Sequence, residues 1–249
     1  MDNTANVPPI AISHLSKSFG EQKVLDGIDL TISRGQTVSL MGRSGTGKSV
    51  LLRLLIGLDR PDSGLIRING EEITSLRIDQ LNKIRRKLGF LFQQAALYDS
   101  LTLAENVEFP LKRQTKMSAE ERMEKVKQLL TAVSLERDLD KLPSEISGGM
   151  KKRAGLARAL ALDPEIVFFD EPTAGLDPIS ASEIGQLIRD LSKERGTTSV
   201  VATHDIHGVR CFSDRAVLLD KGQVLIDGTF AELQKSENPF VVEFLADAA

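Results

Sequence analysis

The sequence has 249 residues and a formal net charge of −3 at pH 7, with 41% hydrophobic and 27% charged residues. This composition is ordinary for a globular α/β protein, and the negative charge argues against nucleic acid as a partner. The single cysteine, Cys211, excludes an intrachain disulfide, and we expect it to be a small core residue. No run of about eighteen uncharged apolar residues is present to span a bilayer, and we expect no secretory signal.

The first ninety residues predict strands and turns around one loop. We expect residues 1–8 to form a loose tail, and residues 10–13 and 24–32 to form antiparallel strands. The apolar, β-branched run at residues 37–41 predicts a buried strand. The Asn69-Gly70 pair between two apolar runs predicts a hairpin.

Beyond residue 78 the pattern changes twice. Helices dominate residues 94–162, whereas the segments on either side alternate between strands and helices. The predicted strands are residues 88–92, 166–169, 198–202 and 216–219, and the predicted helices outside the insertion are residues 79–87, 179–194, 205–212 and one or two within 229–249. We therefore predict an α/β fold in which a helical subdomain interrupts a parallel sheet.

Residues 42–49 read Gly-Arg-Ser-Gly-Thr-Gly-Lys-Ser, between the predicted strand at 37–41 and a predicted helix at 50–56. Strand, glycine loop and helix are the context that a P-loop requires, which disfavours the alternative of a Gly/Ser-rich surface loop. Loop amides and the helix dipole would bind phosphate, Lys48 would reach the β- and γ-phosphates, and the Ser49 hydroxyl would ligate Mg²⁺. The sequence therefore predicts a site for a nucleoside triphosphate.

Two adjacent carboxylates, Asp170 and Glu171, end the predicted strand that begins at residue 166. Carboxyl ends of parallel strands meet at one edge of a sheet, so these acids should face the P-loop. Asp170 suits a Mg²⁺ ligand, directly or through water, and Glu171 can address the attacking water. The alternative is a pair of acids at the start of a loop.

Two further polar residues follow predicted strands. His204 could contact the γ-phosphate or orient the attacking water, although a histidine at a strand end is often merely exposed. Gln93 could ligate Mg²⁺ and report γ-phosphate occupancy to the helical insertion; the alternative is an ordinary polar residue at a strand end.

A second glycine-containing loop, Ser147-Gly148-Gly149, precedes a predicted helix and forms another anion-receptive N-terminus. Two anion sites for one ATP motif suggest a composite site, in which this loop closes over ATP held by another subunit. The alternative is an ordinary N-cap followed by a basic, solvated helix face. Phe19, in a turn-like segment, offers an aromatic face for adenine, with core packing as the competing account.

Six elements follow one another along the chain: residues 42–49, Gln93, Ser147-Gly148-Gly149, Asp170-Glu171, Ala174-Gly175-Leu176-Asp177 and His204. Their types and order resemble those of the nucleotide-binding subunit of ABC transporters. The resemblance covers nearly the whole chain and implies an ATPase domain at residues 9–228, with a helical subdomain at about 94–162 and a C-terminal extension at 229–249. It implies that Glu171 is the general base, that His204 is the switch histidine and that Asp177 lies at the interface of a dimer that encloses two ATP molecules. The expected ATP contacts are Phe19, Gly42, Arg43, Ser44, Gly45, Thr46, Gly47, Lys48, Ser49, Val50, Gln93 and Asp170, joined by Ser147, Gly148 and Gly149 of the second copy. Ser49, Gln93 and Asp170 are the expected Mg²⁺ ligands.

Two further features are similar to the ATPase subunit of MCE-associated lipid transporters of the Mla type. Met150 follows the Ser-Gly-Gly loop where most relatives have glutamine, and residues 94–102 read Gln-Ala-Ala-Leu-Tyr-Asp-Ser-Leu-Thr. This likeness implies phospholipid movement between inner and outer membranes, with a membrane permease and an MCE-domain protein as partners. The chain would then lie on the cytoplasmic face of the inner membrane, bound through the permease.

Two alternatives retain the ATPase activity but assign it to a different assembly. The first is an importer of amino acids or other small solutes. The second is an ABC ATPase that acts on ribosomes or DNA without a permease. Such proteins usually have two nucleotide domains or a long coiled-coil insertion, and this sequence has neither.

Overall fold

The computed structural model describes residues 7–246. Its strands are β1 (Ile10–Phe19), β2 (Gln22–Ile32), β3 (Thr37–Met41), β4 (Ser63–Ile68), β5 (Glu71–Glu72), β6 (Leu88–Leu91), β7 (Ile166–Asp170), β8 (Thr198–Ala202), β9 (Arg215–Asp220) and β10 (Gln223–Gly228). Its helices are α1 (Lys48–Leu55), α2 (Ile78–Arg85), α3 (Leu103–Gln114), α4 (Ala119–Ala132), α5 (Gly148–Ala159), α6 (Pro178–Arg195), α7 (Ile206–Phe212), α8 (Phe230–Leu233) and α9 (Pro239–Ala246). Residues 1–6 of the predicted tail and 247–249 of the predicted extension lie outside the described residues.

An antiparallel sheet, in the order β2-β1-β4-β5, forms one layer. Ile68 pairs with Glu71 across the Asn69-Gly70 turn, which confirms the predicted hairpin. Both turn residues have positive φ, 50° at Asn69 and 81° at Gly70, as this tight hairpin turn requires. β1 is longer than predicted because its pairing with β2 continues past an irregularity near His14, which interrupts the two-residue alternation.

A second sheet has the order β10-β9-β3-β8-β7-β6. The strands from β9 to β6 run parallel, so the carboxyl ends of β3, β6, β7 and β8 meet at one edge. The prediction lacked β10, which pairs antiparallel with β9 after a turn at Lys221 and Gly222. Because its residues alternate between half-buried and exposed, β10 lacks the continuous apolar run that identified its neighbours.

Adjacent residues of β7 pack into two different hydrophobic cores. Phe168 packs between the two sheets and α1, whereas Phe169 packs on the other face against the helical insertion. Both are fully buried, with exposures of 0% and 1%. This two-sided burial explains why the strand reads as an unbroken apolar run rather than an alternating one.

The insertion between β6 and β7 contains α3, α4, a short 3-10 helix (Pro143–Glu145) and α5, and no strand within its described residues, as predicted. At the start of α4, the Ser118 hydroxyl accepts from the Glu121 amide at 3.2 Å, and the Glu121 carboxylate accepts from the Ser118 amide at 2.6 Å. This reciprocal pair is a capping box, which fixes where the helix begins.

The helices after β10 pack beside the P-loop strand. Val241 and Phe244 of α9 join a buried cluster that includes Met41 at the end of β3. None of the helices within residues 7–246 combines the length and the apolar character needed to cross a bilayer.

The prediction for Cys211 was wrong, because Cys211 is exposed on α7 and its neighbour Phe212, at 3% exposure, takes the core-facing position.

Candidate active site

The P-loop joins β3 to α1, and two of its glycines are required by this chain's own packing. Gly42 has φ of +148°, and a Cβ atom there would stand 2.6 Å from the Leu219 carbonyl oxygen. Gly47, the N-cap of α1, has φ of +98°, and a Cβ atom would stand 2.7 Å from the side chain of Leu25. A larger residue at either position would therefore meet both backbone strain and a steric clash.

Lys48, the first residue of α1, is only 5% exposed. Its Nζ donates to the carbonyl oxygens of Gly42 at 2.8 Å and Arg43 at 3.1 Å, and lies 3.7 Å from Glu171 Oε1. Burial lowers the pKa of Lys48, while the negative charges of Glu171 and Asp170 oppose that shift. A buried cation at a helix N-terminus is an arrangement that attracts a phosphate anion.

Ser49 and Asp170 form the second contact between the P-loop and β7. The Ser49 hydroxyl donates to Asp170 Oδ1 at 2.7 Å. Burial raises the pKa of Asp170, and the hydrogen bond from Ser49 opposes that shift. A hydroxyl and a carboxylate side by side are the oxygen donors that Mg²⁺ prefers, so these residues fit the predicted metal.

Glu171 and His204 meet at the carboxyl ends of the neighbouring strands β7 and β8. Glu171 Oε2 lies 2.9 Å from His204 Nδ1 and accepts a 3.4 Å bond from the His204 amide. Glu171 also has an unusual φ of +48°, and its amide donates to the Ala202 carbonyl at 2.8 Å. At 8% exposure its side chain is held at the rim of the site rather than lying free in solvent.

These residues surround a cavity of about 750 Å³. Its walls are Val24, Arg43, Ser44, Gly45, Gly47, Lys48, Ser49, Val50, Gln93, Glu171, His204, Ile206 and Phe244. The structure thus brings the P-loop, Gln93, Glu171 and His204 together, as the sequence led us to expect. The prediction missed Val24, Ile206 and Phe244, which are apolar residues with no local motif.

Other predicted contacts lie outside that cavity wall. Gly42 and Thr46 shape the loop from within, since the Thr46 hydroxyl donates to the Arg43 carbonyl at 2.9 Å. Asp170 is connected to the site by the hydrogen bond that its carboxylate accepts from Ser49. Phe19 is 50% exposed, with Lys17 Nζ 5.3 Å from its ring centre, so core packing does not account for it.

Arg43, predicted to contact ATP, also contacts the C-terminal helix α9. Its guanidinium group lies 2.6 Å from Glu243 Oε1 and 5.3 Å from the centre of the Phe240 ring. Phe244 of the same helix lines the cavity. Helix α9 is therefore part of the surroundings of the P-loop, a proximity that no sequence motif indicated.

The Ser147-Gly148-Gly149 loop does not line this cavity. Ser147 caps α5, and its hydroxyl accepts from the Met150 amide at 3.3 Å. Neither glycine has a positive φ, and Cβ atoms added at Gly148 and Gly149 would have their nearest neighbours at 3.6 and 3.8 Å. Unlike the P-loop glycines, these two are not required by this chain's own fold.

Asp177 caps the following helix, α6, beside that loop. Its carboxylate accepts from the amides of Ile179 at 3.1 Å and Ser180 at 3.0 Å, and hydrogen bonds from Ser180 are the main cause of its lowered pKa. Ile179, 74% exposed, is the most exposed large apolar side chain among the described residues. The predicted location of Asp177 at a subunit interface is compatible with this exposed surface.

Comparison with known sequences gives one consistent family. The chain matches the family model described as ABC transporter over residues 25–174. It is 42% identical over 236 residues to the "Probable ribonucleotide transport ATP-binding protein mkl" of Mycobacterium tuberculosis, covering 95% of this chain and 66% of that protein. It is 38% identical over 223 residues to the "Methionine import ATP-binding protein MetN" of Brucella abortus, covering 90% of this chain and 60% of that protein. The chain therefore spans about two thirds of the length of these relatives or slightly less.

Solved structures confirm the predicted fold class. The ATP-binding cassette MJ0796, in a dimeric post-hydrolysis state bound to ADP and Pi, is 39% identical, with a TM-score of 0.81 and coverage of 88% of this chain and 98% of that one. The cbiO1 protein from Clostridium perfringens, described as part of the ABC transporter complex cbiONQ, is 29% identical, with a TM-score of 0.83 and coverage of 98% and 100%.

Proposed function

This chain belongs to the ABC transporter family and is an ABC-type ATPase, and from that premise we propose that it powers a membrane transporter by hydrolysing ATP. One observation carries the site assignment: buried Lys48, at the N-terminus of α1, lies 3.7 Å from the carboxylate of Glu171. A cation suited to bind phosphate and a candidate base are thus held at one site by the start of α1 and the end of β7.

We assign the binding of the triphosphate to the P-loop. The amides of the loop and of the first turn of α1 would bind the phosphates, and Lys48 would exchange its present carbonyl partners for phosphate oxygens. Ser49 and Asp170, with Gln93, would hold Mg²⁺, which would supply positive charge against the phosphate oxygens.

Glu171 is the proposed general base. It would accept a proton from the water that attacks the terminal phosphorus, and His204, 2.9 Å from Glu171 Oε2, would orient that water or the phosphate. Lys48 would stabilise the negative charge on the phosphoryl group during transfer. The proposal requires no large movement of Glu171, because this residue already lines the cavity.

The composite site is supported by the N-terminus of α5, which this chain's own cavity does not use. Ser147, Gly148 and Gly149 form a capped helix N-terminus outside this chain's own cavity, and a Cβ atom added at either glycine would make only ordinary van der Waals contacts. We propose that a second copy places this loop over the bound ATP. The description of the MJ0796 cassette as a dimer supports this arrangement.

The proposed contact with a membrane permease involves the segment after Gln93. Tyr98 is 46% exposed, and its ring centre lies 4.7 Å from that of Phe109 on α3. Asn106, fully buried on the same helix, accepts from the Tyr98 amide at 2.7 Å and so fixes the segment to the insertion. An exposed tyrosine that packs on the half-buried Phe109 suits a docking surface for another protein.

The proposed cargo is phospholipid, moved with an MCE-type partner between inner and outer membranes. Its support is the likeness of Met150 and residues 94–102 to the Mla-type ATPase subunits. A small-solute importer is the second candidate, and the names of two relatives, a methionine import protein and a ribonucleotide transport protein, favour it.

Affinity purification of the tagged chain from detergent-solubilised membranes tests this proposal. A permease recovered with an MCE-domain protein and phospholipid is the expected result. Recovery of a permease with a solute-binding protein would instead support the importer. Ribosomal or DNA-repair proteins without any permease would contradict a transport function. The Lys48→Ala variant is the matched control, because its permease partner should be retained although it does not hydrolyse ATP.

A further inference from the structure

Lys152 on α5 is a buried lysine to which the hydrolytic scheme assigns no part. The alternative of a basic, solvated helix face would leave it exposed, but it is only 5% exposed. Its Nζ donates to the main-chain carbonyl of Gln93 and, at 3.0 Å, to the main-chain carbonyl of Glu171. One side chain therefore joins three segments: α5, the chain after β6 and the end of β7.

The surroundings of Lys152 explain why a cation is tolerated there. Burial lowers the pKa of Lys152, and the negative charges of Glu171 and Asp170 oppose that shift. Lys152 thus contacts the main-chain carbonyl of Glu171, whereas Lys48 lies 3.7 Å from its side-chain carboxylate.

Both segments that Lys152 holds have an unfavourable backbone. Glu171 has φ of +48°, and Ala95 and Ala96, just beyond Gln93, have φ of +59° and +48°. Such a backbone conformation persists in a residue other than glycine only where neighbouring groups hold it. Lys152 contacts the carbonyl of Glu171 itself, which leaves little freedom for the peptide group that follows this residue.

A second cation of α5, Arg158, holds only one of these segments. Its guanidinium group donates to the carbonyl oxygens of Ala95 at 2.6 Å and Ala96 at 2.7 Å. It has no hydrogen bond to Glu171 among the described contacts. Lys152 and Arg158 therefore separate two effects: fixing the chain after β6, and connecting that chain to the candidate base.

We infer that Lys152 is a positioning residue for hydrolysis, which ties the segment around Gln93 to the backbone of Glu171. A partner that moves this segment would thereby move or release the base, although Lys152 touches neither ATP nor the attacking water. The inference rests on the proposed role of Glu171 and adds the connection that lets a contact near Gln93 alter that role.

The test compares full-length variants for ATP hydrolysis and for hydrogen–deuterium exchange at residues 92–97. Lys152→Met removes both carbonyl bonds and should lower kcat by about tenfold to a hundredfold, with KM changed by less than about threefold. Exchange at residues 92–97 should become faster. Lys152→Arg keeps the charge and the donors and should restore most of kcat.

Lys151→Met is the matched control, because Lys151 precedes Lys152 on the same helix and is partly exposed. It should change neither kcat nor the exchange rates. Arg158→Met should accelerate exchange at residues 92–97 but lower kcat less than Lys152→Met does. If Lys152→Met does not fold, Lys152→Gln takes its place with the same readouts.

Two results would overturn the inference. One is unchanged kcat and exchange in Lys152→Met; the other is an equal loss of kcat, KM and thermal stability in Lys152→Met and Lys152→Arg, which would indicate packing alone. Glu171→Gln, measured alongside, separates the two proposals. If Glu171→Gln is inactive while Lys152→Met is normal, only this inference fails. If Glu171→Gln is fully active, the role of Glu171 fails and the inference fails with it.

Discussion

The two glycine-containing helix N-termini of this protein look alike in sequence but differ in what surrounds them. At α1, Gly42 and Gly47 have positive φ and neighbours that leave no room for a side chain. At α5, Gly148 and Gly149 have ordinary φ, and a Cβ atom added at either would meet its nearest neighbour only at 3.6 or 3.8 Å. The loop before α1 is shaped by contacts within the chain. The N-terminus of α5 has no such tight contacts, and we propose that it binds the ATP of a second copy.

The lysines of the two helices sharpen the contrast. Lys48 lies at the first position of α1 and lines the cavity. Lys152 lies one turn into α5 and binds carbonyls of Gln93 and Glu171 instead of facing the loop. At α1 a buried cation and a cavity wall accompany the helix N-terminus, whereas the glycines at the start of α5 do not line that cavity.

The largest expected effect is loss of the cation at α1. Lys48→Ala should reduce ATP hydrolysis by about a thousandfold, because it removes the charge that stabilises the transferring phosphoryl group. Phosphate release at saturating ATP measures this loss, and Lys151→Ala is the charge-matched control. Near-normal turnover in Lys48→Ala would show that α1 is not the phosphate site.

Glu171→Gln should have the next largest effect. The amide cannot accept the proton from water, so hydrolysis should fall by about a hundredfold or more while ATP binding is retained. ATP that is bound and not hydrolysed should hold two copies together, which size-exclusion chromatography with ATP and Mg²⁺ can detect. A variant that binds ATP and stays monomeric would count against the composite site.

A pair of glycine substitutions should give the smallest but most specific difference. Gly47→Ala should lower the free energy of unfolding by about 1–3 kcal/mol, because alanine must adopt φ of +98° against Leu25. Gly148→Ala should leave it within about 0.5 kcal/mol, because no strain or close contact opposes it. Urea unfolding of both variants measures the difference, and equal losses would contradict the contrast between the loops.

The sequence was informative where neighbouring residues determine the structure. The P-loop lies between a strand and a helix that are its immediate neighbours, and the Asn69-Gly70 hairpin depends on two turn residues. The approach of Asp170 to Ser49 was also predictable, because carboxyl ends of parallel strands must meet at one edge.

The rest depends on packing between distant segments. Lys152 is one of two adjacent lysines on α5, and nothing local indicates that it is buried while Lys151 is partly exposed. Phe244 reaches the cavity only because α9 packs against Met41 at the end of β3. Cys211 and Phe212 are adjacent apolar residues, and only the orientation of α7 decides which one packs into the core.

The most direct test of the central claim, that the α5 loop of one copy completes the α1 site of another, is a mixing experiment. A Cβ atom at position 148 would meet only an ordinary contact within its own subunit, and the carboxylate of Gly148→Asp would place a negative charge against the ATP of the second copy. Lys48→Ala and Gly148→Asp should each be inactive alone.

In a mixed dimer, Lys48 of the Gly148→Asp subunit and Gly148 of the Lys48→Ala subunit form one intact site. The account predicts that hydrolysis reappears when the two variants are mixed, in proportion to the mixed dimers recovered through differently tagged subunits. A mixture that forms such dimers and remains as inactive as either variant alone would contradict it.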